Sequence, residues 1–177
     1  MKKNIEDSIK YETEKCIDEI EIARIIEEIN IEKKEIEPKI LNTNSGDNYS
    51  IIGTLRIEKI NLEMNIASKT TDELMKKYAC RVWGPNVNKK GNLCITGHNW
   101  RNTKLFSKVP TLEVGDKIEL IDLSNITKEY TIYDKYIVDP DDVKCLNQET
   151  DGEIIITLIT CTDDSSGRYV MHAKYRR

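Results

Sequence analysis

From residue 50 onward the chain is a succession of short apolar segments punctuated by Gly, Pro, Asn and Asp: Ile51 to Ile60, Leu93 to Thr96, Lys117 to Asp122, Tyr130 to Val138, Glu153 to Cys161 and Arg168 to Tyr175. Several alternate with a period of two, as Tyr130, Ile132, Asp134 and Tyr136 do against Thr131, Tyr133, Lys135 and Ile137. That period belongs to strands whose successive side chains point to opposite faces of a sheet. Six or more short strands in one chain favour a closed or nearly closed β-barrel, which leaves few unpaired edges. Between them, Thr70 to Tyr78 opens on Thr-Thr-Asp-Glu and predicts one short capped helix.

The start of the chain has a different character. It has no Gly or Pro before Pro38, and it carries Ile at 5, 9, 17, 20, 25, 26 and 29, spacings that suggest an amphipathic helix in one or two pieces. Residues 1–48 hold 8 Lys+Arg against 13 Asp+Glu, a local net of −5, while the remainder holds 19 against 18, or +1. The polar stretch Asn42-Thr43-Asn44-Ser45-Gly46-Asp47-Asn48 reads as a loop or linker. Two parts are therefore expected: an acidic helical segment and linker over 1–48, and the β-rich domain over 49–177. Because its Ile residues need somewhere to be buried, the helical segment is expected to be a packing or regulatory appendage.

Composition narrows the function. With 38% hydrophobic and 33% charged residues in 177, there is apolar material for one core, and the net charge of −4 provides no basic field for nucleic acid or an anionic membrane surface. The longest apolar run, Ile154 to Ile159, is interrupted by Thr157 and falls far short of the roughly 20 residues of a membrane helix. No secretion signal is recognisable at the start. The expectation is a cytosolic chain, or one whose anchor is not present in this sequence. The five cysteines, 16, 80, 94, 145 and 161, form no CxxC pair, so neither a disulfide framework nor a zinc ribbon is suggested. No metal and no other cofactor is expected.

Three residues sit where strands give way to loops. Cys161 ends the run Ile154-Ile155-Ile156-Thr157-Leu158-Ile159-Thr160 and precedes Thr162-Asp163-Asp164-Ser165-Ser166-Gly167; it is either a nucleophile at a strand end or a small hydrophobe in a core. His98, in Thr96-Gly97-His98-Asn99, is either structural or an imidazole paired with Cys161 across neighbouring strands. Arg168 opens the last segment, and its planar guanidinium is either solvated or suited to an oxyanion or a peptide carbonyl. His172 lies four residues further on, roughly 13 Å away along an extended strand, a separation that sets it apart from a site shared with Arg168. Cys94 could form a metal pair with His98, though its strand context favours packing. Asp163 and Asp164 read as solvated loop residues.

The motifs around these residues resemble the sortase family of Gram-positive bacteria. Thr157-Leu158-Ile159-Thr160-Cys161 matches its TLxTC signature, Thr96-Gly97-His98 its histidine segment, and Arg168 follows on a final strand; Ile52-Gly53-Thr54-Leu55-Arg56-Ile57, Gly91-Asn92 and Leu112-Glu113-Val114-Gly115-Asp116-Lys117-Ile118 also agree. The resemblance implies a mainly β fold: a closed eight-stranded barrel with short helices, working as a cysteine transpeptidase. Such an enzyme cleaves an LPxTG-like sorting signal after Thr and joins the Thr to an amine of the cell wall or a pilin. It implies Cys161 as nucleophile, His98 as acid and base, Arg168 as oxyanion partner, and Thr96, Asn99 and Thr160 as peptide-binding residues. It further implies a chain held at the extracellular face of the membrane, with no nucleic-acid partner. The segment from Asp139 to Gly152 matches the loop that helps form the peptide groove, and its acidic start fits either turn chemistry or a calcium site. Alternative readings are a thiol peptidase that hydrolyses the same signal and a barrel that only binds peptide. The subclass stays open: this loop lacks the long helical insertion of class B, whereas His98-Asn99 and the ending Arg168-Tyr169-Val170-Met171-His172-Ala173-Lys174 are class B-like.

Overall fold

β-Branched residues occupy six of the eight positions of Ile154-Ile155-Ile156-Thr157-Leu158-Ile159-Thr160-Cys161, the composition that best fills a pleated, half-buried surface. The computed structural model describes residues 37–101 and 104–176, and this run is one of its nine strands. They are β1 (Ile40–Asn42), β2 (Asn48–Ile57), β3 (Leu62–Ala67), β4 (Ala79–Trp83), β5 (Gly91–Thr96), β6 (Lys117–Ile121), β7 (Thr127–Val138), β8 (Ile154–Cys161) and β9 (Arg168–Tyr175). The amphipathic helix expected before residue 37 lies outside the described residues.

Eight of the strands form a ring in the order β2-β3-β4-β5-β8-β9-β7-β6, and β6 pairs back onto β2 through Thr54 with Ile121 and Leu55 with Leu120. The protein is thus a mostly β, closed eight-stranded barrel, in agreement with the expectation. The ninth strand, β1, pairs with the start of β2 (Ile40 with Ser50), so this hairpin spans the junction expected at 48/49. Two ring pairings are parallel, β3–β4 and β5–β8. The first is bridged by a single helical turn, α1 (Asp72–Met75), where the Thr71 hydroxyl accepts from the Leu74 N–H at 3.2 Å. This is the capped helix expected over 70–78.

Several strands depart from the sequence reading. Ile51 to Ile60 is not one element: β2 stops at Ile57, Glu58–Ile60 forms a 3-10 turn, and Asn61 turns left-handed (φ 51°) to reverse the chain into β3. Neither β3 nor β4 was among the expected segments. Glu63 and Asn65 dilute the apolar character of β3, whose inward positions Leu62, Met64 and Ile66 nevertheless alternate, and Arg81 breaks up β4.

The core fills the ring. Leu55, Ile57, Ile66, Leu93, Ile95, Ile118, Leu120, Ile132, Ile156, Leu158, Met171 and Ala173 pack in one cluster. On β5, β8 and β9 the inward set is therefore Leu93 and Ile95, Ile156 and Leu158, and Met171 and Ala173. Alternation sends the intervening residues to the outer face.

Candidate active site

The outer face is organised by register. Cys94 pairs with Thr157 and Thr96 with Ile159 across the parallel β5–β8 ladder. Across the antiparallel β8–β9 ladder, Thr157 pairs with His172, Ile159 with Val170 and Cys161 with Arg168. The outer side chains consequently form cross-strand levels: Cys94, Thr157 and His172, and then Thr96, Ile159 and Val170. The Gly97 N–H donates to the Ile159 carbonyl (3.3 Å), continuing the ladder beyond β5 and carrying His98 toward the level of Cys161 and Arg168. His98, Cys161 and Arg168 are all half-buried, at the same end of the barrel.

Several contacts hold this end. The buried Thr160 hydroxyl donates to the Gly97 carbonyl at 2.8 Å. The Phe106 N–H donates to the His98 carbonyl at 3.0 Å, and the Phe106 ring is fully buried against Gly97. A Cβ at position 97 would lie 2.6 Å from two carbons of that ring, so glycine here answers to lack of space. Asn99 is buried; its Nδ2 donates to the Cys161 carbonyl (3.0 Å) and to Asp163 Oδ1 (2.9 Å), while its Oδ1 accepts from the Arg101 N–H (3.1 Å). The loop after β5 is thereby tied to the loop after β8.

The β8–β9 turn is closed on itself. Thr162 and Gly167 exchange backbone and hydroxyl hydrogen bonds, and Asp164 Oδ1 accepts from the Thr162 hydroxyl (2.6 Å), the Ser166 N–H and the Ser166 hydroxyl. These donors, the Thr162 hydroxyl foremost, hold the Asp164 carboxyl down at about 2.

The three candidate groups are treated differently. Arg168 Nη1 donates only to the neighbouring Gly167 carbonyl (2.9 Å), and it has no ion-pair partner among the described residues. Neither the Cys161 thiol nor the His98 ring makes a hydrogen bond among the described residues; the ring lies 5.7 Å from that of Trp100. Among the described cysteines, Cys161 is the half-buried one, while Cys80, Cys94 and Cys145 are buried. Burial pushes the Cys80 thiol up to about 11 and the Cys94 thiol up to about 12, which leaves almost none of either as the nucleophilic thiolate near neutrality.

Of the other residues expected at the site, Thr96 is half-buried on the outer face, one level from His98. Asn99 and Thr160 are buried, with the polar contacts already given. Asp163 is exposed as expected, yet it accepts from Asn99 and so helps fix the loop beside Cys161. Gly97 beside His98 reads from the sequence as a site of close approach, whereas Phe106, its neighbour, was missed; the available signal was the chain's single Phe shortly after a Gly-His pair. The acidic start of the 139–152 loop forms a turn, with Asp142 N–H donating to the Asp139 carbonyl and Asp142 Oδ1 accepting from the Lys144 N–H.

Comparison with known proteins agrees with this geometry. The family model for the Sortase domain matches residues 55–176. Sortase A of Bacillus anthracis is 35% identical over 130 residues, covering 72% of this chain and 60% of that protein. Sortase A of Listeria monocytogenes is 28% identical over 116 residues, covering 65% and 51%. The chain thus spans between half and two thirds of the length of these relatives. Among solved structures, a Clostridium perfringens sortase D5 transpeptidase superposes with a TM-score of 0.65 at 29% identity, covering 72% of this chain and 80% of that one. A Listeria monocytogenes sortase A structure gives 0.66 at 25% identity, covering 72% and 88%.

Proposed function

The chain belongs to the sortase family, and on that premise we propose that it is a cysteine transpeptidase acting on an LPxTG-like sorting signal. The Cys161 thiolate attacks the Thr carbonyl of the signal, and the Arg168 guanidinium stabilises the oxyanion that develops there. The bond to Gly breaks as His98 gives its proton to the departing amine, leaving a thioester on Cys161. An acceptor amine of the cell wall or a pilin, deprotonated by His98, then takes the acyl group and restores the thiol. The observation that carries this reading is the direct cross-strand pairing of Cys161 with Arg168, with His98 two residues beyond the Thr96–Ile159 pair.

Thr96, half-exposed next to these groups, is the residue of the expected three assigned here to peptide contact. Asn99 and Thr160 act by positioning, since their polar atoms are committed to the Cys161 and Gly97 carbonyls. Such a reaction belongs at the extracellular face of the cell membrane. No helix of the described residues is long and apolar enough to cross one. Residues 1–48 are proposed as an appendage that packs on or regulates the barrel; deleting them should change stability or turnover, and no change in either would make them a spacer.

The test is incubation with a peptide library built around LPxTG, together with candidate amines such as short oligoglycines and diamino acids, followed by mass analysis. A thioester on Cys161 and an amine-ligated product are expected. Hydrolysed peptide alone would indicate a thiol peptidase, and no acyl-enzyme at all would leave only a peptide-binding barrel.

A further inference from the structure

Two levels from Cys161 on the same outer face lies a chain of hydrogen bonds that the reaction does not use. Asn92, buried on β5, donates both Nδ2 protons to the loop joining β7 to β8: one to the Cys145 carbonyl (3.0 Å) and one to the Asn147 carbonyl (3.1 Å). Its Oδ1 is left to accept from the Thr157 hydroxyl at 2.7 Å. That donation uses the only Thr157 proton, so at the 2.8 Å contact with His172 Nδ1 the threonine oxygen accepts, which assigns the ring proton to Nδ1. The other ring nitrogen, Nε2, then accepts from the Tyr136 hydroxyl at 2.8 Å.

Donor counting therefore gives a one-way relay from Tyr136 on β7, through His172 on β9 and Thr157 on β8, to Asn92 on β5 and into the loop. Burial pushes the His172 pKa below its ordinary value, against a smaller opposing pull from Asp134, in keeping with the neutral ring that the relay requires. Tyr133 stacks on the ring, with centroids 6.0 Å apart and planes 19° apart. The loop grips Asn92 a second way: Gln148 Nε2 donates to the Asn92 carbonyl (2.8 Å) and Gln148 Oε1 accepts from the Asn92 N–H (3.3 Å), imitating a strand pair.

The loop's course links this relay to the reactive end. It leaves β7 at Val138, the cross-strand partner of Arg168, and comes down on Asn92. It flanks the outer face along which a peptide attacked at Cys161 would lie.

We propose that Asn92, Thr157 and His172 are positioning residues, forming a clamp that holds the 139–153 loop against the barrel as a fixed wall for the sorting peptide. This rests on the transpeptidase reading for the peptide and on the hydrogen-bond geometry alone for the clamp. Thr157 is the first residue of the TLxTC match, so the clamp also gives that position a physical role away from the chemistry.

The test uses the full chain with Thr157→Val, which keeps the shape and removes the hydroxyl, and Thr157→Ser as rescue. Alkylation by iodoacetamide, read cysteine by cysteine by mass spectrometry, reports the loop: Cys145 sits in it, whereas the buried Cys80, in a separate apolar cluster with Leu74, is the internal control. Thr157→Val should speed alkylation of Cys145 about tenfold, the scale of one net hydrogen bond, with Cys80 unchanged. The KM for an LPxTG-like peptide should rise about as much, with kcat within about twofold, and Thr157→Ser should restore both. Gln148→Ala, on the exposed side of the loop, should give a weaker change of the same kind if Thr157→Val folds poorly.

Equal acceleration at Cys80 and Cys145 would reduce Thr157 to general support of the barrel and overturn the clamp. So would an unchanged Cys145 rate. Cys145 exposed with KM unmoved would show that the loop does not shape the groove. Absence of turnover in the unsubstituted protein would count against the transpeptidase reading instead, and the alkylation ratio would then decide the clamp by itself.

Discussion

Two levels of one sheet face, with only the Ile159–Val170 level between them, treat their polar groups in opposite ways. At the level of Thr157 and His172, joined to Asn92 one level further along β5, side-chain donors and acceptors meet partners within the protein. At the level of His98, Cys161 and Arg168, the backbone is pinned from several sides while the thiol and imidazole make no hydrogen bond among the described residues. Satisfied groups make a scaffold, because leaving any of them unpaired in a buried setting costs roughly 1–3 kcal/mol. Unsatisfied groups at a half-exposed position remain available to a substrate. The contrast teaches that the proposed reactivity would rest on a rigid backbone supporting a thiol and an imidazole that make no hydrogen bond among the described residues, beside a guanidinium held to the Gly167 carbonyl.

The sharpest way to break this contrast is at the level proposed to react. Cys161→Ala should abolish acyl-enzyme formation, and Arg168→Ala should lower kcat/KM by about 100-fold or more, as loss of one positioned oxyanion donor does. Since Arg168 reaches only the Gly167 carbonyl, the Arg168→Ala barrel should keep its thermal midpoint within about 2 °C, measured by calorimetry. A large drop in the midpoint would mean that the arginine is scaffold after all.

A smaller effect is expected where the levels meet. Gly97→Ala would push a methyl into the Phe106 ring; overpacking of this kind costs about 1–3 kcal/mol, or roughly 3 to 10 °C of midpoint. Turnover should fall with it, because His98 follows directly. Unchanged stability and turnover would show that the Phe106 contact does not set the position of the histidine.

The smallest effect concerns pH. The Asp164 pKa, at about 2, lies below the ordinary carboxylate value. Its ionised form therefore stabilises the β8–β9 turn above about pH 4, and that contribution fades as pH falls toward 2. Asp164→Asn should lower the midpoint slightly at neutral pH, where the ionised carboxylate stabilises the turn, and flatten the acid limb below about pH 4 so that the two curves converge toward pH 2. Parallel curves would remove the turn from the contrast.

Much of the barrel was legible because β-branched, alternating runs such as β7 and β8 announce themselves, and because Thr71 caps its helix locally. β3 and β4 were not, since their charged and amide residues face outward and thin the apolar signal. His98, Cys161 and Arg168 each showed individually as strand-end residues, and the family motifs grouped them. The register between β5 and β8 is what brings the strands together, and no local pattern encodes it. The same reason hid the clamp: along its own strand His172 reads only as a residue remote from Arg168, whereas its neighbours Thr157 and Tyr136 come from other strands.

The parallel β5–β8 pairing has one more consequence, for the order of events during synthesis and folding. Thr160 meets Gly97 across 63 positions of chain, a non-local closure of the kind that forms slowly. On the proposed reading, neither half of the molecule could carry the chemistry by itself. An incompletely emerged or partly collapsed chain would then hold a dormant thiol, with acyl transfer beginning only once the last strand has docked.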